Sequence, residues 1–367
     1  MNNAPLVSVI TVVYNGVTTI EQTIQSVLKQ SYKNIEYIII DGQSTDGTLE
    51  IVEKYKDFLA YFISEKDDGI YDAMNKGIRQ AKGEIVGIIN SDDWYESYAV
   101  EKVVKAFTED SKIGVVYGKV NRVLLDGTIK EQICEPLEKL WYKGVVMHPT
   151  VFVRRSVYDE YGMFDVSYQI CSDYDLLLRL YSSQVGFRYI DMVVANYRFG
   201  GASQIFKHRE TREAYQITSK YMDRSGDIKD EVRKYVEARR KWIVFEDILE
   251  EKPEILSDLL RVHFGRDIST FIIFGVGMWG RIYYNAAVHA GLHVPCFLDN
   301  FMFGRNYAEE FCAEVKRPED GFDKDFPVLI AMQNDADLVE KQLEAIGGVE
   351  YVSMGKIMER YFMMNPI

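Results

Sequence analysis

Hydrophobic and polar positions follow two alternating rhythms through the first third of the chain. Runs rich in β-branched residues at Val7 to Val13, Ile35 to Ile40, Ala60 to Ile63 and Ile85 to Ile89 read as strands. Thr18 to Leu28, Thr48 to Tyr55, Tyr71 to Ala81 and Tyr98 to Phe107 show the spacing of amphipathic helices. Strand followed by helix, repeated, predicts a parallel, doubly wound α/β sheet. Between Ile113 and Arg198 the pattern loosens. Strand-like segments at Gly114 to Val120, Val151 to Val153 and Phe187 to Val194 surround a helix from Asp173 to Tyr181, a second half built on the same sheet.

From Lys207 to about Phe264 the composition shifts to long charged helical patterns such as Lys229 to Phe245. A fresh α/β unit then begins, with a strand at Phe271 to Gly275, a turn at Val276 to Gly280 and a helix at Ile282 to Ala290. Further strands are expected at Val294 to Leu298 and Val328 to Met332. The expected division is 1–205 as the first α/β domain, 206–265 as a helical connector and 266–367 as a small Rossmann-like domain. No internal repeat is visible.

Composition narrows the function classes. The 367 residues are 47% apolar and 13% aromatic, enough to offset chain entropy, so long disorder is excluded. Lys and Arg number 43 against 56 Asp and Glu, a formal net charge of −13 and the wrong sign for coating a phosphate backbone. Nucleic acid is therefore not expected as a partner. Cys134, Cys171, Cys296 and Cys312 form no CxxC pair, so neither a zinc site nor a disulfide framework is indicated. With no basic leader and no apolar run of spanning length, the chain is expected to be soluble and cytoplasmic.

Ligands of an open parallel sheet bind beyond the carboxyl ends of its strands. Those positions are Tyr14 and Asn15 after the first strand, Asp41 after the second, Asp67 and Asp68 after the third, and Asn90-Ser91-Asp92-Asp93 after the fourth. Carboxylates gathered on one rim raise one another's pKa unless a cation or donors offset them. Hard oxygen ligands without His or Cys favour Mg²⁺ or Mn²⁺, shared with substrate phosphates that a nucleoside diphosphate compound would supply. Asp46 is read as a cap for the helix that follows it. Gly77, inside a helical pattern, marks either a ligand's close approach or tight helix packing.

These residues resemble an established motif set. Val9 to Asn15, Ile39-Ile40-Asp41 with Ser44 to Thr48, Asn75-x-Gly77 with Ala81-x-Gly83, and Ile89 to Asp93 are similar, in order and spacing, to the motifs of inverting family 2 glycosyltransferases of the GT-A fold. The resemblance covers roughly residues 5 to 205 and includes Gly144 to Arg155, Ser172 to Asp175 and Arg198 to Gly201. Two departures are visible. Asn90 stands where the first acid of the usual DxD belongs, and Ser172-Asp173 replaces the usual Glu-Asp pair near the base.

The resemblance implies a metal-dependent enzyme that moves a sugar from a nucleotide donor, with a UDP-sugar expected, to a saccharide or polyprenyl-linked acceptor of a surface polysaccharide, with transient visits to the inner face of the membrane. Asp173 would be the catalytic base. Tyr14, Asn15, Asp41, Asn75, Asp92, Trp94 and Arg198 would bind the donor, and Asp92 with Asp93 would hold Mn²⁺ or Mg²⁺. His148 would touch the acceptor or the diphosphate. Ser172 and Asp175 match a capping box, which leaves Asp173 in the first helical turn facing the rim. Tyr61, Tyr71, Tyr95, Trp141 and Tyr142 read more readily as core than as sugar-stacking walls. In the C-terminal unit, Gly275-x-Gly277-x-x-Gly280 with Asp299 matches a dinucleotide-binding pattern. A nicotinamide-dependent oxidoreductase, or a scaffold that binds nucleotide sugar without turnover, is the competing reading.

Overall fold

The computed structural model describes residues 4–124, 127–199, 207–300, 313–332 and 336–365. Gly200, Gly201 and Cys312 lie outside the described residues. The chain divides into two compact units, Met1–Val236 and Glu237–Ile367.

The first unit opens with β1 (Val7–Val13), α1 (Ile20–Leu28), β2 (Ile35–Asp41), α2 (Thr48–Glu53), β3 (Tyr61–Ser64), α3 (Ile70–Gln80) and β4 (Ile85–Asn90). These four strands run parallel in the order β3-β2-β1-β4. Their register decides where polar residues meet, because Val13 pairs with Asp41, Val12 with Asn90 and Asp41 with Ser64. The ends of these strands, and the polar residues that follow them, therefore share one rim. β1 is buried along its whole length, as a central parallel strand should be. Its alternate side chains serve two cores: Val7, Val9 and Val13 pack in the cluster holding Ile20 and Ile24 of α1, and Ile10 and Val12 in the cluster holding Met74 and Ile78 of α3.

The second half of this unit departs from the expected all-parallel sheet. It adds β5 (Trp94–Tyr95), α4 (Ala99–Glu109), β6 (Ile113–Val123), β7 (Ile129–Gln132), β8 (Phe152–Arg154), α5 (Arg155–Tyr161), α6 (Ser172–Ser182), β9 (Gly186–Arg198) and α7 (Lys207–Tyr221). β8 lies antiparallel between β4 and β6, β5 is antiparallel to β9, and β7 folds back on β6 as a hairpin. Hydrophobic periodicity reports burial and is blind to strand direction, so this reversal was not legible. The pairing of β6 with β9 shifts register at three places, and such irregularities bend a sheet. The bend brings Asn196 opposite Trp94, beside the end of β4.

The second unit begins inside α8 (Lys229–Glu251), which follows α7, and continues through α9 (Glu254–Phe264). The segment expected as a connector is thus three helices, with the division falling inside the second. β10 (Ile272–Phe274), α10 (Met278–His289), β11 (Cys296–Leu298), β12 (Glu314–Lys316), β13 (Val328–Ile330), α11 (Ala336–Ile346), β14 (Tyr351–Ser353) and α12 (Met354–Met364) follow. The five strands are parallel in the order β12-β11-β10-β13-β14. The expected turn at Val276 to Gly280 is shorter than predicted, since α10 already starts at Met278. A Cβ on Gly280 would stand 1.9 Å from the Gly275 carbonyl oxygen, so only glycine lets the helix begin so close to the strand. Asp299 Oδ2 accepts from the Val276 amide at 3.1 Å and ties the turn to β11. Among the described residues no helix is long and apolar enough to cross a membrane.

The open question at Gly77 resolves as packing. A Cβ there would sit 2.4 Å from Ile10 Cγ2, so α3 lies directly on β1. Gly77→Ala should destabilise the protein by about 1–3 kcal/mol through overpacking. Thermal melting checks this, and an unchanged midpoint would refute the close contact.

Candidate functional site

Two loops form a ledge at the rim. Asp41 is wholly buried at the end of β2, and its carboxylate accepts from the Ser44 amide at 2.9 Å, the Ser44 hydroxyl and the Ser64 hydroxyl at 2.6 Å. Neutral donors on both oxygens supply the solvation that burial removed. Asn15, in the left-handed region at φ 49°, donates its amide to Ser44 Oγ at 2.7 Å and accepts from the Thr45 amide at 2.9 Å. Asp46 bridges the same loops, accepting from the Val17 and Thr48 amides and from the Thr48 hydroxyl. Those bonds, the hydroxyl's foremost, hold its pKa below the usual carboxylate value. Asp46 does not occupy the expected cap position: Gly47 is the N-cap and carries no side-chain cap, while Asp46, one residue earlier, takes the first helical amide and bridges to the first loop. Tyr14 stands on this ledge with 66% of its surface exposed.

Beside the ledge, the residues after β4 separate into outward and inward groups. Thr23 Oγ1 on α1 donates to the Ser91 and Asp93 carbonyl oxygens at 2.9 and 2.6 Å, which fixes the turn. Asp92 is part-exposed, whereas Asp93 is only 1% exposed. Asp93 Oδ1 accepts from the Arg198 amide at 2.9 Å, and its Oδ2 is buried with no partner among the described residues. Burial raises the pKa of both acids, that of Asp93 far more, with Asp92 adding to it. The Arg198 guanidinium donates to the Asp92 carbonyl at 3.2 Å and to Gln22 Oε1 at 2.9 Å. It also lies 5.2 Å from the centre of the Trp94 ring. Trp94 is therefore stacked by a cation as well as placed at the rim.

The donor set bears on the metal. No three His, Cys, Asp or Glu side chains converge into a cage among the described residues. A cation that keeps water and substrate phosphates needs only one or two carboxylates, which Asp92 at the opening satisfies. Asp93, expected as the second ligand, faces inward. Its orphaned oxygen is a place for a proton or an approaching cation to offset buried charge.

Asp173 sits in the first turn of α6, but the capping box does not form. Cys171 occupies the N-cap position without a side-chain cap, and Ser172 Oγ is buried with no partner among the described residues. Asp175 is drawn away by Lys220 Nζ at 2.9 Å and the Tyr221 hydroxyl at 3.1 Å, with Arg179 at 3.6 Å. A charged partner on α7 outcompetes a local amide. Asp173 Oδ1 accepts from the Tyr174 amide at 2.9 Å and from the Tyr71 hydroxyl at 3.1 Å. Oδ2 has no partner among the described residues. Burial, reinforced by Asp173, raises the Tyr71 pKa well above its ordinary value, so this hydroxyl stays a donor.

Asp173 and His148 line one narrow pocket with Ile88, Val151, Tyr158 and Phe164. Burial lowers the His148 pKa and Asp173 opposes the shift in part. Asn75, expected to meet the donor, instead spends both ends of its amide on the Phe164 backbone, at 2.9 and 3.0 Å. Trp141 is buried and packs on Tyr181 with ring centres 5.9 Å apart. Tyr71, Gln22 and Thr23 were not legible as site residues, since an aromatic or polar residue on an amphipathic helix carries no signal of a partner distant in sequence.

The family model for glycosyl transferase family 2 matches residues 8–162. A PGL/p-HBAD biosynthesis glycosyltransferase of Mycobacterium bovis is 29% identical over 213 residues, covering 56% of this chain and 82% of that protein. An uncharacterised glycosyltransferase of Mycobacterium tuberculosis is 33% identical over 183 residues, covering 49% of this chain and 70% of that protein. Among solved structures, the mannosyltransferase PcManGT of Pyrobaculum calidifontis, in complex with GDP-Man and Mn²⁺, superposes with a TM-score of 0.53 at 19% identity, over 66% of this chain and 72% of that one. These similarities do not favour the oxidoreductase reading of the C-terminal glycines.

The His148 shift has a consequence for stability. The folded state resists a proton that the unfolded chain accepts near pH ~6.5, so the contribution is intact above that pH and is lost as pH falls through it. His148→Asn should flatten the fall in melting temperature between about pH 7.5 and about pH 5.5. An undiminished fall would assign the acid sensitivity to other groups.

Proposed function

Because the chain belongs to the family 2 glycosyltransferases of the GT-A fold, and is a glycosyltransferase, we propose that it inverts the anomeric centre of a nucleoside diphosphate sugar during transfer to a saccharide or polyprenyl-linked hydroxyl. A UDP-sugar is the donor proposed. The setting proposed is surface polysaccharide assembly at the cytoplasmic face of the membrane. The observation that carries this reading is Asp173, which lines a pocket with His148 and has one oxygen held by two donors and the other without a partner among the described residues.

Inversion in one step requires the acceptor hydroxyl to lose its proton as its oxygen attacks the anomeric carbon and the bond to the diphosphate breaks on the opposite side. In this reading Asp173 Oδ2 takes that proton, while Oδ1 stays tied to Tyr71 and Tyr174. The ledge of Tyr14 and Asn15, shaped by Asp41 beneath it, holds the nucleoside. Arg198 faces the diphosphate, fixed in place by Gln22, Asp92 and the Trp94 ring. Asp92, with Asp93 behind it, would hold Mn²⁺ or Mg²⁺ together with the donor phosphates, and the cation would offset charge on the leaving group. His148, neutral through burial, is available to hydrogen-bond the acceptor.

Release of nucleoside diphosphate from a panel of UDP- and GDP-sugars, with and without acceptor, tests the reading. Asp173→Asn should lower kcat by roughly 10² to 10⁴ and leave UDP affinity nearly unchanged, as expected for a general base. Turnover near wild type would place the base elsewhere. A second expectation concerns the cation: EDTA should abolish transfer, added Mn²⁺ should restore it, and Asp92→Ala should block the restoration. Full activity in chelator would remove the metal from the proposal. Donor binding without any turnover would leave the scaffold reading standing.

A further inference from the structure

Asp173 is held by its surroundings more elaborately than a helix-terminal acid requires. The turn that precedes α6 presents three consecutive amides, from Gln169, Ile170 and Cys171, and all three donate to the carboxylate of Glu213 on α7 at 2.9 Å. Glu213 is only 7% exposed. An ionised acid accepting main-chain donors at a helix start is a strong, charge-assisted arrangement. It stands in for the local cap that Cys171 and Ser172 do not supply. The same turn is gripped from its other side. The Tyr71 hydroxyl donates to the Ile170 carbonyl at 2.6 Å as well as to Asp173 Oδ1. Ile170 thus has its amide on Glu213 and its carbonyl on the residue that orients Asp173. Further along α7, Thr218 reaches the Tyr174 hydroxyl at 3.1 Å and Lys220 reaches Asp175 at 2.9 Å, so one face of this helix fastens the first turn of α6.

We propose that Glu213 is a positioning residue for the reaction, acting through the 169–171 turn and Tyr71 to hold Asp173 in the orientation that leaves Oδ2 open. The inference rests on Asp173 being the base. Glu213 touches neither substrate nor reacting atoms. Its part is geometric, and a reacting group displaced by about 1 Å can lose about 10²-fold in rate. The glutamate is suited to this because its two oxygens share three donors. Glutamine in its place keeps one accepting oxygen and turns an NH₂ group toward an amide.

A double-mutant cycle in the full-length protein separates this from general support of the fold. The variants are Glu213→Gln, Asp173→Asn and both together, each assayed for kcat, donor KM, UDP affinity by calorimetry and melting temperature. Glu213→Gln should lower kcat by roughly 10- to 100-fold with UDP affinity within about twofold of wild type. In the Asp173→Asn background the same change should lower the residual kcat by less than about threefold, since the group it orients is already gone. Tyr71→Phe should show the same dependence on background, which keeps the test informative if Glu213→Gln folds poorly. An equal loss of kcat in both backgrounds, or wild-type turnover in Glu213→Gln, would overturn the proposal. Failure of the underlying reading looks different, because Asp173→Asn alone would then transfer sugar at the wild-type rate.

Discussion

Parallel pairing in register is the constraint on which the rest depends. Once Val7 pairs with both Ile35 and Ile85, the strand ends are no longer independent: Val13, Asp41 and Asn90 arrive at one edge together. Parallel strands need crossovers, and α1, α2 and α3 supply them, so each polar residue that follows a strand meets the residues that follow its neighbours. The ledge formed by Asn15, Ser44 and Asp46 is a direct product of this, since bonds from the first loop to the second close only if β1 and β2 end level. The antiparallel insertion of β8 then allows β9 to return Arg198 to the same edge.

Concentrating carboxylates at an edge costs free energy, and the molecule offsets it differently at each one. Asp41 is buried among serine hydroxyls and an amide, Asp175 is paired with Lys220 and Arg179, and Asp93 has one backbone donor and one empty oxygen. Asp173, like Asp93, has one oxygen bonded and one without a partner among the described residues, but it is part-exposed where Asp93 is buried. Full satisfaction makes a structural acid, and partial satisfaction leaves a group with chemistry still to do. What separates the candidate base from its helical neighbour is exposure and charge: Asp175 is wholly buried and ion-paired with Lys220 and Arg179, whereas Asp173 is part-exposed beside His148.

Much of the fold is legible in the amino-acid sequence. β1, β2 and β4 are nearly continuous apolar runs bounded by Asn, Asp and Gly, and α1, α3 and α4 have one apolar face, so their ends fall within a few residues of expectation. The motif residues at the rim could be named because an α/β sheet places its ligand at strand ends. The capping box at Ser172 and Asp175 was a sound local inference that tertiary partners overrode, since a lysine and a tyrosine on α7 offer Asp175 more than a backbone amide does.

The amino-acid sequence by itself determined the elements, the glycosyltransferase family and the set of acids from which a site is made. Each of these depends on residues close together in the chain or on a motif order. Only the tertiary structure decided which acid is open, which is buried and which is held. Those outcomes depend on pairs such as Tyr71 with Asp173, 102 positions apart, and Asp93 with Arg198, 105 apart. A hydrogen bond requires donor and acceptor within about 3 Å, and over such separations that proximity is set by the packing of the whole sheet and its helices.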